Sequence, residues 1–173
     1  MQDILERARE IELLIFDVDG VLTDGGLYLC DDGQEFKRFN SRDGHGIKML
    51  MKHGVQCAII TGRTSKVVEH RMQNLGIKLI YQGQHDKTEG YSHLIQQLGL
   101  VDKQVAYLGD DVVDLPVMCK VGLAIAVQDA HPWVLKHAHW QTPSPGGRGA
   151  AREACEMLLE ARGLLDTELE SYL

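Results

Sequence analysis

The sequence lacks several features that mark particular classes of protein. No apolar run approaches the roughly 20 residues of a membrane-spanning helix, so we expect no membrane partner. Basic residues are outnumbered, with 18 Lys and Arg against 25 Asp and Glu, and the net charge of −7 disfavours nucleic acid as a partner. There are only four prolines and no linker, repeat or low-complexity tract, so residues 1–173 are expected to form a single domain.

Paired cysteines are also missing. Cys30, Cys57, Cys119 and Cys155 lie far apart and form no CxxC pair. Cys57 falls in a strand-like run and Cys155 in a helical pattern, which favours buried, reduced thiols. We therefore expect a reducing compartment and a cytoplasmic protein.

The chain does contain a regular alternation of short apolar runs and amphipathic segments. Such runs are typical of buried parallel strands, and the segments between them are typical of helices. The alternation predicts an α/β fold with a Rossmann-like, doubly wound and mainly parallel sheet. The predicted strands cover residues 11–18, 55–60, 77–81, 105–108 and 122–127, with an edge strand at 139–142. The predicted helices cover residues 3–9, 43–53, 64–75, 87–98, 111–120, 131–137 and 150–162, and Pro116 is expected to confine the fifth to short turns.

Two segments stand outside this alternation. Residues 25–40 carry the turn signal Asp32-Gly33 between two strand-like runs, which predicts a β-hairpin inserted directly after the first strand. A lone hairpin is only marginally stable, so we expect it to act as a flap or to pack against another subunit. The tail at residues 163–173 is acidic with scattered apolar residues, and we expect it to be mobile.

Polar and charged residues follow four of the predicted strands. The carboxyl ends of parallel strands meet at one edge of the sheet, where ligands of open α/β sheets bind. The residues concerned are Asp17 and Asp19 after the first strand, Thr61 after the second, Lys87 after the third, and Asp110, Asp111 and Asp114 after the fourth. Carboxylates gathered this closely require a cation, and hard oxygen ligands select Mg²⁺. With Lys87 and Thr61 beside them, they predict a cradle for a phosphoryl group.

The same residues carry a family resemblance. Segment 17–24 (DVDGVLTD), segment 61–63 (TGR), Lys87, and segment 109–111 (GDD) with Asp114 resemble, in this order, the four motifs of haloacid-dehalogenase-type phosphatases. The resemblance covers most of the chain. It implies a phosphomonoesterase on a Rossmann-like core, with the small hairpin in place of a cap domain.

The resemblance also implies a role for each motif residue. Asp17 is implied to attack phosphorus and form an aspartyl phosphate, and Asp19 to act as general acid and then general base. Thr61 and Lys87 are implied to neutralise the phosphoryl oxygens. The implied Mg²⁺ ligands are Asp17, the backbone carbonyl of Asp19, and Asp110. Asp111 and Asp114 are implied to support these ligands, although a surface charge on a helix is an equal alternative for Asp114.

A narrower resemblance is to the 3-deoxy-D-manno-octulosonate 8-phosphate phosphatases of lipopolysaccharide precursor synthesis. It rests on the missing cap domain, the Gly-rich hairpin, segment 40–44, residues 61–63 with Arg71, and segment 146–153. This branch implies a sugar acid phosphate as substrate. It also implies a homotetramer in which hairpins associate, neighbours complete the site, and a tail such as 164–173 gates it.

The branch further implies a set of substrate-binding residues, which combine arginine forks suited to carboxylate and phosphate with polar groups. They are Asp19, Asn40, Ser41, Arg42, Asp43, Gly44, Lys48, Arg63, Arg71 and Lys87. A solvated helix face is the alternative for Arg71. Lys48 stands where the branch usually has arginine, so bidentate geometry is lost there.

Two other functions stay open at the level of sequence. One is a phosphatase for a sialic-acid-type (N-acylneuraminate or KDN) 9-phosphate, built on the same core. The other is a non-catalytic tetramerisation module, against which the intact Asp17, Asp19, Lys87 and Asp110 argue.

Overall fold

The first strand, β1 (Leu13–Phe16), lies at the centre of the molecule with all four residues buried. Its apolar side chains suit a strand that is covered on both faces by helices. In the computed structural model, which describes residues 2–173, β1 pairs in parallel with one strand on each side. Asp17 and Asp19 follow at its carboxyl end.

The other elements alternate along the chain much as the sequence predicts. The remaining strands are β2 (Tyr28–Leu29), β3 (Glu35–Phe36), β4 (Gln56–Ile60), β5 (Leu79–Tyr81), β6 (Val105–Gly109), β7 (Leu123–Ala126) and β8 (Trp140–Gln141). The α-helices are α1 (Gln2–Arg9), α2 (Ser41–Lys52), α3 (Lys66–Leu75), α4 (Lys87–Leu98), α5 (Leu115–Met118), α6 (Pro132–His137), α7 (Ala150–Ala161) and α8 (Leu165–Glu170). Two short 3₁₀ helices cover Asp102–Gln104 and Val112–Asp114. No helix within residues 2–173 has both the length and the apolar character needed to cross a membrane.

Six of the strands form one parallel sheet in the order β5-β4-β1-β6-β7-β8. The chain runs outward from β1 through β4 and β5, and then returns to the other side of β1 with β6. This reversal is the topological switch point of a doubly wound sheet, where ligands bind beyond the carboxyl ends of the strands. The predicted fold class is confirmed, including the edge strand at β8.

The predicted hairpin is formed by β2 and β3, which pair antiparallel. Gly33 has a φ of 81°, a left-handed conformation that glycine adopts without strain. The rings of Tyr28 and Phe36 stack with their centroids 5.0 Å apart. The strands have only two residues each, and the large apolar side chains of Leu27, Leu29 and Phe36 are each more than half exposed.

A buried carboxylate ties α2 to α7. Asp43, only 2% exposed, accepts hydrogen bonds from the backbone N–H of Arg152 (3.0 Å) and of Gly149 (3.3 Å) at the start of α7. These N–H groups have no partner within the helix, and a carboxylate stabilises that end of it. Asp43 therefore supports the packing that holds α2 beside the sheet.

The segment around Pro116 confirms the expectation of short turns, whereas the tail differs from the expectation. Residues 111–120 contain a 3₁₀ turn followed by the one-turn helix α5, with proline in its first turn. The tail, expected to be mobile, instead forms α8. Its buried Glu168 accepts hydrogen bonds from Lys52 (2.7 Å) and His53 (2.8 Å), which hold the pKa of that carboxyl at about 2. Partners more than 100 residues away in the chain could not be read from the acidic tail alone.

Candidate active site at the carboxyl ends of the strands

A cavity of about 270 Å³ opens at the carboxyl edge of the sheet. Its walls are built from the ends of β1, β4 and β6, together with the loop and first turn that precede and begin α4. The lining residues are Asp17, Asp19, Thr61, Gly62, Arg63, Gln84, His85, Lys87, Asp110, Asp111 and Val113. The structure thus brings together the seven motif residues Asp17, Asp19, Thr61, Arg63, Lys87, Asp110 and Asp111 in one place.

Lys87, the first residue of α4, places a buried ammonium group among carboxylates. Its Nζ lies 2.6 Å from Asp114 Oδ1 and 3.0 Å from Asp17 Oδ2, with the side chain 3% exposed. Burial lowers the pKa of a lysine, but the two carboxylates outweigh it and hold the pKa of Lys87 above its ordinary value. The side chain is therefore a fixed cation at the base of the cavity.

Asp114 supports this cation from below the cavity. The residue is completely buried, which excludes the alternative of a surface charge. Its Oδ1 also accepts a hydrogen bond from the Tyr107 hydroxyl (2.7 Å), and its Oδ2 accepts from the backbone N–H of Asp110 (3.0 Å) and Asp111 (3.2 Å). Both oxygens are thus engaged by protein donors. Tyr107 was not identified from the sequence, because a tyrosine in an apolar strand is ordinarily part of the core.

The remaining carboxylates carry more negative charge than Lys87 can balance. Burial, followed by repulsion from Asp114, raises the pKa of Asp17 to about 6. Burial, followed by repulsion from Asp114 and Asp17, raises the pKa of Asp110 to about 8. Carboxylates that lie this close together cannot all stay ionised unless a further cation binds between them.

The donor set fits a magnesium ion. One oxygen from each of Asp17, Asp110 and Asp114 lies within 4.8 Å of the others. Oδ1 of Asp17 and Oδ1 of Asp110 are buried and have no hydrogen-bond partner among residues 2–173. Because the oxygens of Asp114 are already engaged, Asp17 and Asp110 are the residues of this cluster that could hold the ion. Mg²⁺ characteristically uses one or two carboxylates and completes its shell with water and substrate phosphate.

Gly20 makes room for this arrangement. A Cβ at this position would lie 2.1 Å from Oδ2 of Asp110, and the φ of 90° is one that other residues rarely adopt. The turn after β1 therefore needs glycine so that Asp110 can approach the β1 carboxylates.

Asp19 lies toward the hairpin, apart from the carboxylates that surround Lys87. Its Oδ1 is 2.5 Å from Nζ of Lys37, and its Oδ2 is 3.6 Å from Nε of Arg63. Arg63 in turn donates to Glu35 on β3 (3.2 Å). Lys37 and Glu35 were not identified from the sequence. The one sequence feature that could have indicated them is their position on the hairpin insertion that follows Asp19.

Thr61 is held at the end of β4 with 3% of its surface exposed. Its backbone N–H donates to the carbonyl of Tyr81 (2.9 Å), and its carbonyl accepts from Gln84 (3.0 Å). These bonds fix the loop that carries the predicted hydroxyl donor.

The other predicted substrate residues do not line this cavity in the single chain. Asn40 caps α2 by accepting from the backbone N–H of Arg42 (2.8 Å). Arg71 lies over the Phe39 ring (5.8 Å) and donates to the Asn40 carbonyl (3.4 Å). Asp43 is committed to α7, as described above. Gly44 packs against Arg71, whereas Ser41, Arg42 and Lys48 are exposed on α2. Their contact with substrate stays a prediction.

The fold and this site together are those of a haloacid dehalogenase-like hydrolase. The sequence model of that family, described as haloacid dehalogenase-like hydrolase, matches residues 79–153. The 3-deoxy-D-manno-octulosonate 8-phosphate phosphatase of Escherichia coli K12 is 50% identical over 164 residues, which is 95% of this chain and 87% of the relative. The chain therefore belongs to the family of 3-deoxy-D-manno-octulosonate 8-phosphate phosphatases, and the resemblance stated from the motifs is confirmed.

Solved structures agree with this placement. The crystal structure of the phosphatase of this name from Yersinia pestis superposes with a TM-score of 0.94 at 50% identity, covering 95% of this chain and 89% of that one. The phosphatase of the same name from Moraxella catarrhalis superposes with a TM-score of 0.98 at 37% identity, covering 100% and 99%. That crystal structure contains a magnesium ion, a phosphate ion and KDO.

Asp114→Ala tests the buried support for Lys87. The change removes one partner of a buried ion pair and leaves the N–H groups of Asp110 and Asp111 without an acceptor. We expect the free energy of unfolding in magnesium-containing buffer to fall by about 2–4 kcal/mol, measured by urea denaturation. Asp111→Ala is the matched control, because the exposed Asp111 side chain caps the short 3₁₀ turn and the loss of such a cap typically costs about 1 kcal/mol. Equal losses in the two variants would contradict the assigned role.

Proposed function

We propose that this chain hydrolyses 3-deoxy-D-manno-octulosonate 8-phosphate to 3-deoxy-D-manno-octulosonate and phosphate, with Mg²⁺ as cofactor, in lipopolysaccharide precursor synthesis. The observation that carries the proposal is the Asp17–Lys87 pair, which lies beside Asp110 in a chain half identical to such phosphatases over nearly all of its length. The intact charged cluster argues against a non-catalytic module.

Asp17 is the proposed nucleophile. The Nζ of Lys87 lies 3.0 Å from its Oδ2, while Oδ1 has no hydrogen-bond donor in the part of the chain that the structure describes. Attack on phosphorus forms a bond from the carboxylate oxygen as the bond from phosphorus to the sugar oxygen breaks. The resulting aspartyl phosphate divides hydrolysis into two easier displacements.

Asp19 is the proposed general acid and base. It lies two residues beyond Asp17 at the same strand end and lines the same cavity. In the first step it gives its proton to the departing sugar oxygen. In the second step it takes a proton from the water that attacks the aspartyl phosphate, which frees phosphate and restores Asp17.

Lys87 and Thr61 are the proposed partners of the phosphoryl oxygens. Lys87 supplies a charge that is already in place before substrate binds, and Thr61 supplies a hydroxyl donor. Magnesium held by Asp17, Asp110 and the Asp19 carbonyl would neutralise further charge on the phosphate. A substrate dianion could then enter a cavity that is otherwise acidic.

Arg63 is the proposed contact for the substrate's carboxylate. It lines the cavity with its side chain 45% exposed, and its planar guanidinium suits bidentate pairing with a carboxylate. Asn40, Ser41, Arg42, Lys48 and Arg71 are carried over from the family as further substrate contacts, and we propose that assembly of copies brings them to a neighbouring cavity. The family also implies Asp43 and Gly44, but both are buried against other parts of the chain, so we propose no substrate contact for them.

The proposed assembly is a cytoplasmic homotetramer. The hairpin exposes Leu27, Leu29 and Phe36 by 53%, 64% and 56%, and a monomer gains nothing from large apolar side chains in water. Association of hairpins from several copies would cover these side chains and supply the support that a two-stranded ribbon lacks.

Purified enzyme should release phosphate from 3-deoxy-D-manno-octulosonate 8-phosphate in the presence of Mg²⁺. Chelation should abolish the activity, and Asp17→Asn should lower kcat by at least about 10⁴-fold because the carboxylate nucleophile is gone. Phosphate release is measured against a panel that includes N-acylneuraminate and KDN 9-phosphates. Higher kcat/KM for a 9-phosphate would overturn the substrate assignment, and turnover that survives both chelation and Asp17→Asn would overturn the mechanism.

Light scattering should give a mass near four times the 19.3 kDa of the chain. Phe36→Asp places a charge on the apolar face of the hairpin and should shift the mass toward monomer, with loss of activity. Val101→Asp is the matched control, since Val101 is 52% exposed but lies away from the hairpin, and it should leave the mass unchanged. A monomeric wild-type protein would refute the proposed assembly.

A further inference from the structure

The hairpin carries a lysine whose side chain is buried as deeply as that of Lys87. The Lys37 side chain is 2% exposed, although its neighbours Phe36 and Arg38 are exposed. Burying an ammonium group is costly unless it is paired, so the partners of Lys37 show what it does. Those partners are Asp19 Oδ1 at 2.5 Å and Glu35 Oε2 at 3.9 Å.

Asp19 is one member of a closed ring of four side chains whose charges alternate in sign. Lys37 and Arg63 each contact both Asp19 and Glu35, at 2.5 and 3.9 Å for Lys37 and at 3.6 and 3.2 Å for Arg63. Without these partners, the carboxylate of Asp19 could turn about the two torsions of its side chain. With one oxygen facing Lys37 and the other facing Arg63, the carboxylate is oriented from both sides.

We propose that Lys37 is a positioning residue for the reaction, which holds the Asp19 carboxylate in one orientation on the hairpin side of the cavity. The inference rests on the proposed function in taking Asp19 as the general acid. The hairpin insertion then takes part in the reaction as well as in assembly, because Lys37, which directly follows β3, contacts Asp19 beyond the end of β1.

The alternative is that Lys37 only fastens the hairpin to the domain. The two roles differ in how the loss depends on the leaving group. An alkyl phosphate needs a proton on its departing oxygen, whereas 4-nitrophenyl phosphate releases a stable anion and hardly needs one. A displaced Asp19 would therefore harm the first substrate much more than the second, while a loosened hairpin would harm both alike.

The experiment compares Lys37→Met with wild type on an alkyl phosphate and on 4-nitrophenyl phosphate. The quantity compared is kcat/KM, which reports the steps up to departure of the alcohol. The later role of Asp19 as a base therefore does not affect the comparison. We expect Lys37→Met to lower kcat/KM about 10–100-fold for the alkyl ester, with KM little changed, and less than about fivefold for the aryl ester. The size of the first loss is expected because general acid catalysis is worth about 10²–10⁴-fold. Lys37→Arg should recover most of the loss, because the cation is restored.

Arg38→Met is the matched control just after the same strand, since Arg38 is 66% exposed and its guanidinium lies 3.9 Å from Asp24 rather than beside Asp19. Native mass and the melting temperature in Mg²⁺ are recorded for each variant, so that a misfolded protein is recognised. Equal losses on the two esters, or no loss on either, would overturn the inference. Wild-type turnover of simple phosphates without turnover of the sugar acid phosphate would instead retire the proposed substrate and leave the Lys37 comparison valid. Absence of all phosphatase activity would overturn both.

Discussion

The ammonium group of Lys87 lies among the carboxylates of Asp17, Asp110 and Asp114. These three carboxylates outnumber the one cation, and the arrangement of the site depends on this excess of negative charge. Asp114 is satisfied by Tyr107 and by two backbone N–H groups as well as by Lys87. Asp17 and Asp110 each have a buried oxygen that makes no hydrogen bond to the described residues. The excess negative charge raises the pKa values of these two carboxyls, and it is the same excess that prepares the cavity to bind a divalent cation.

The parallel sheet makes this concentration of charge possible. Strands β1 and β6 are direct neighbours, so the acids that follow each of them meet at one edge although they are almost 100 residues apart in the chain. The glycine at position 20 lets the two strand ends approach more closely than a side chain would allow. The hairpin then adds a second set of charges beside the cavity, where Lys37 contacts Asp19 and Glu35 contacts Arg63.

The sequence was sufficient for the fold and for the charged centre, because both depend on local signals. Short apolar runs that end in acids predict the parallel strands, and the spacing of Asp17 and Asp19 places both at the same strand end. Lys37 and Tyr107 could not be predicted, since their importance lies in partners brought near by folding. The same reason explains the tail: only the folded chain places Lys52 and His53 where Glu168 can accept from them. The family resemblance implied Arg71 and Asp43 as substrate contacts, but in the single chain both make contacts within the chain.

Magnesium-dependent stability tests most directly whether Asp17 and Asp110 form a cation site. At about 100 times its dissociation constant, a bound ion stabilises the folded state by about 2.7 kcal/mol, or roughly 5–10 °C in melting temperature for a chain of this size. Wild-type protein should therefore melt several degrees higher in MgCl₂ than in NaCl of equal ionic strength, and Asp110→Asn should lose this increase while it remains folded. An equal increase in both proteins, or none in the wild type, would contradict the account.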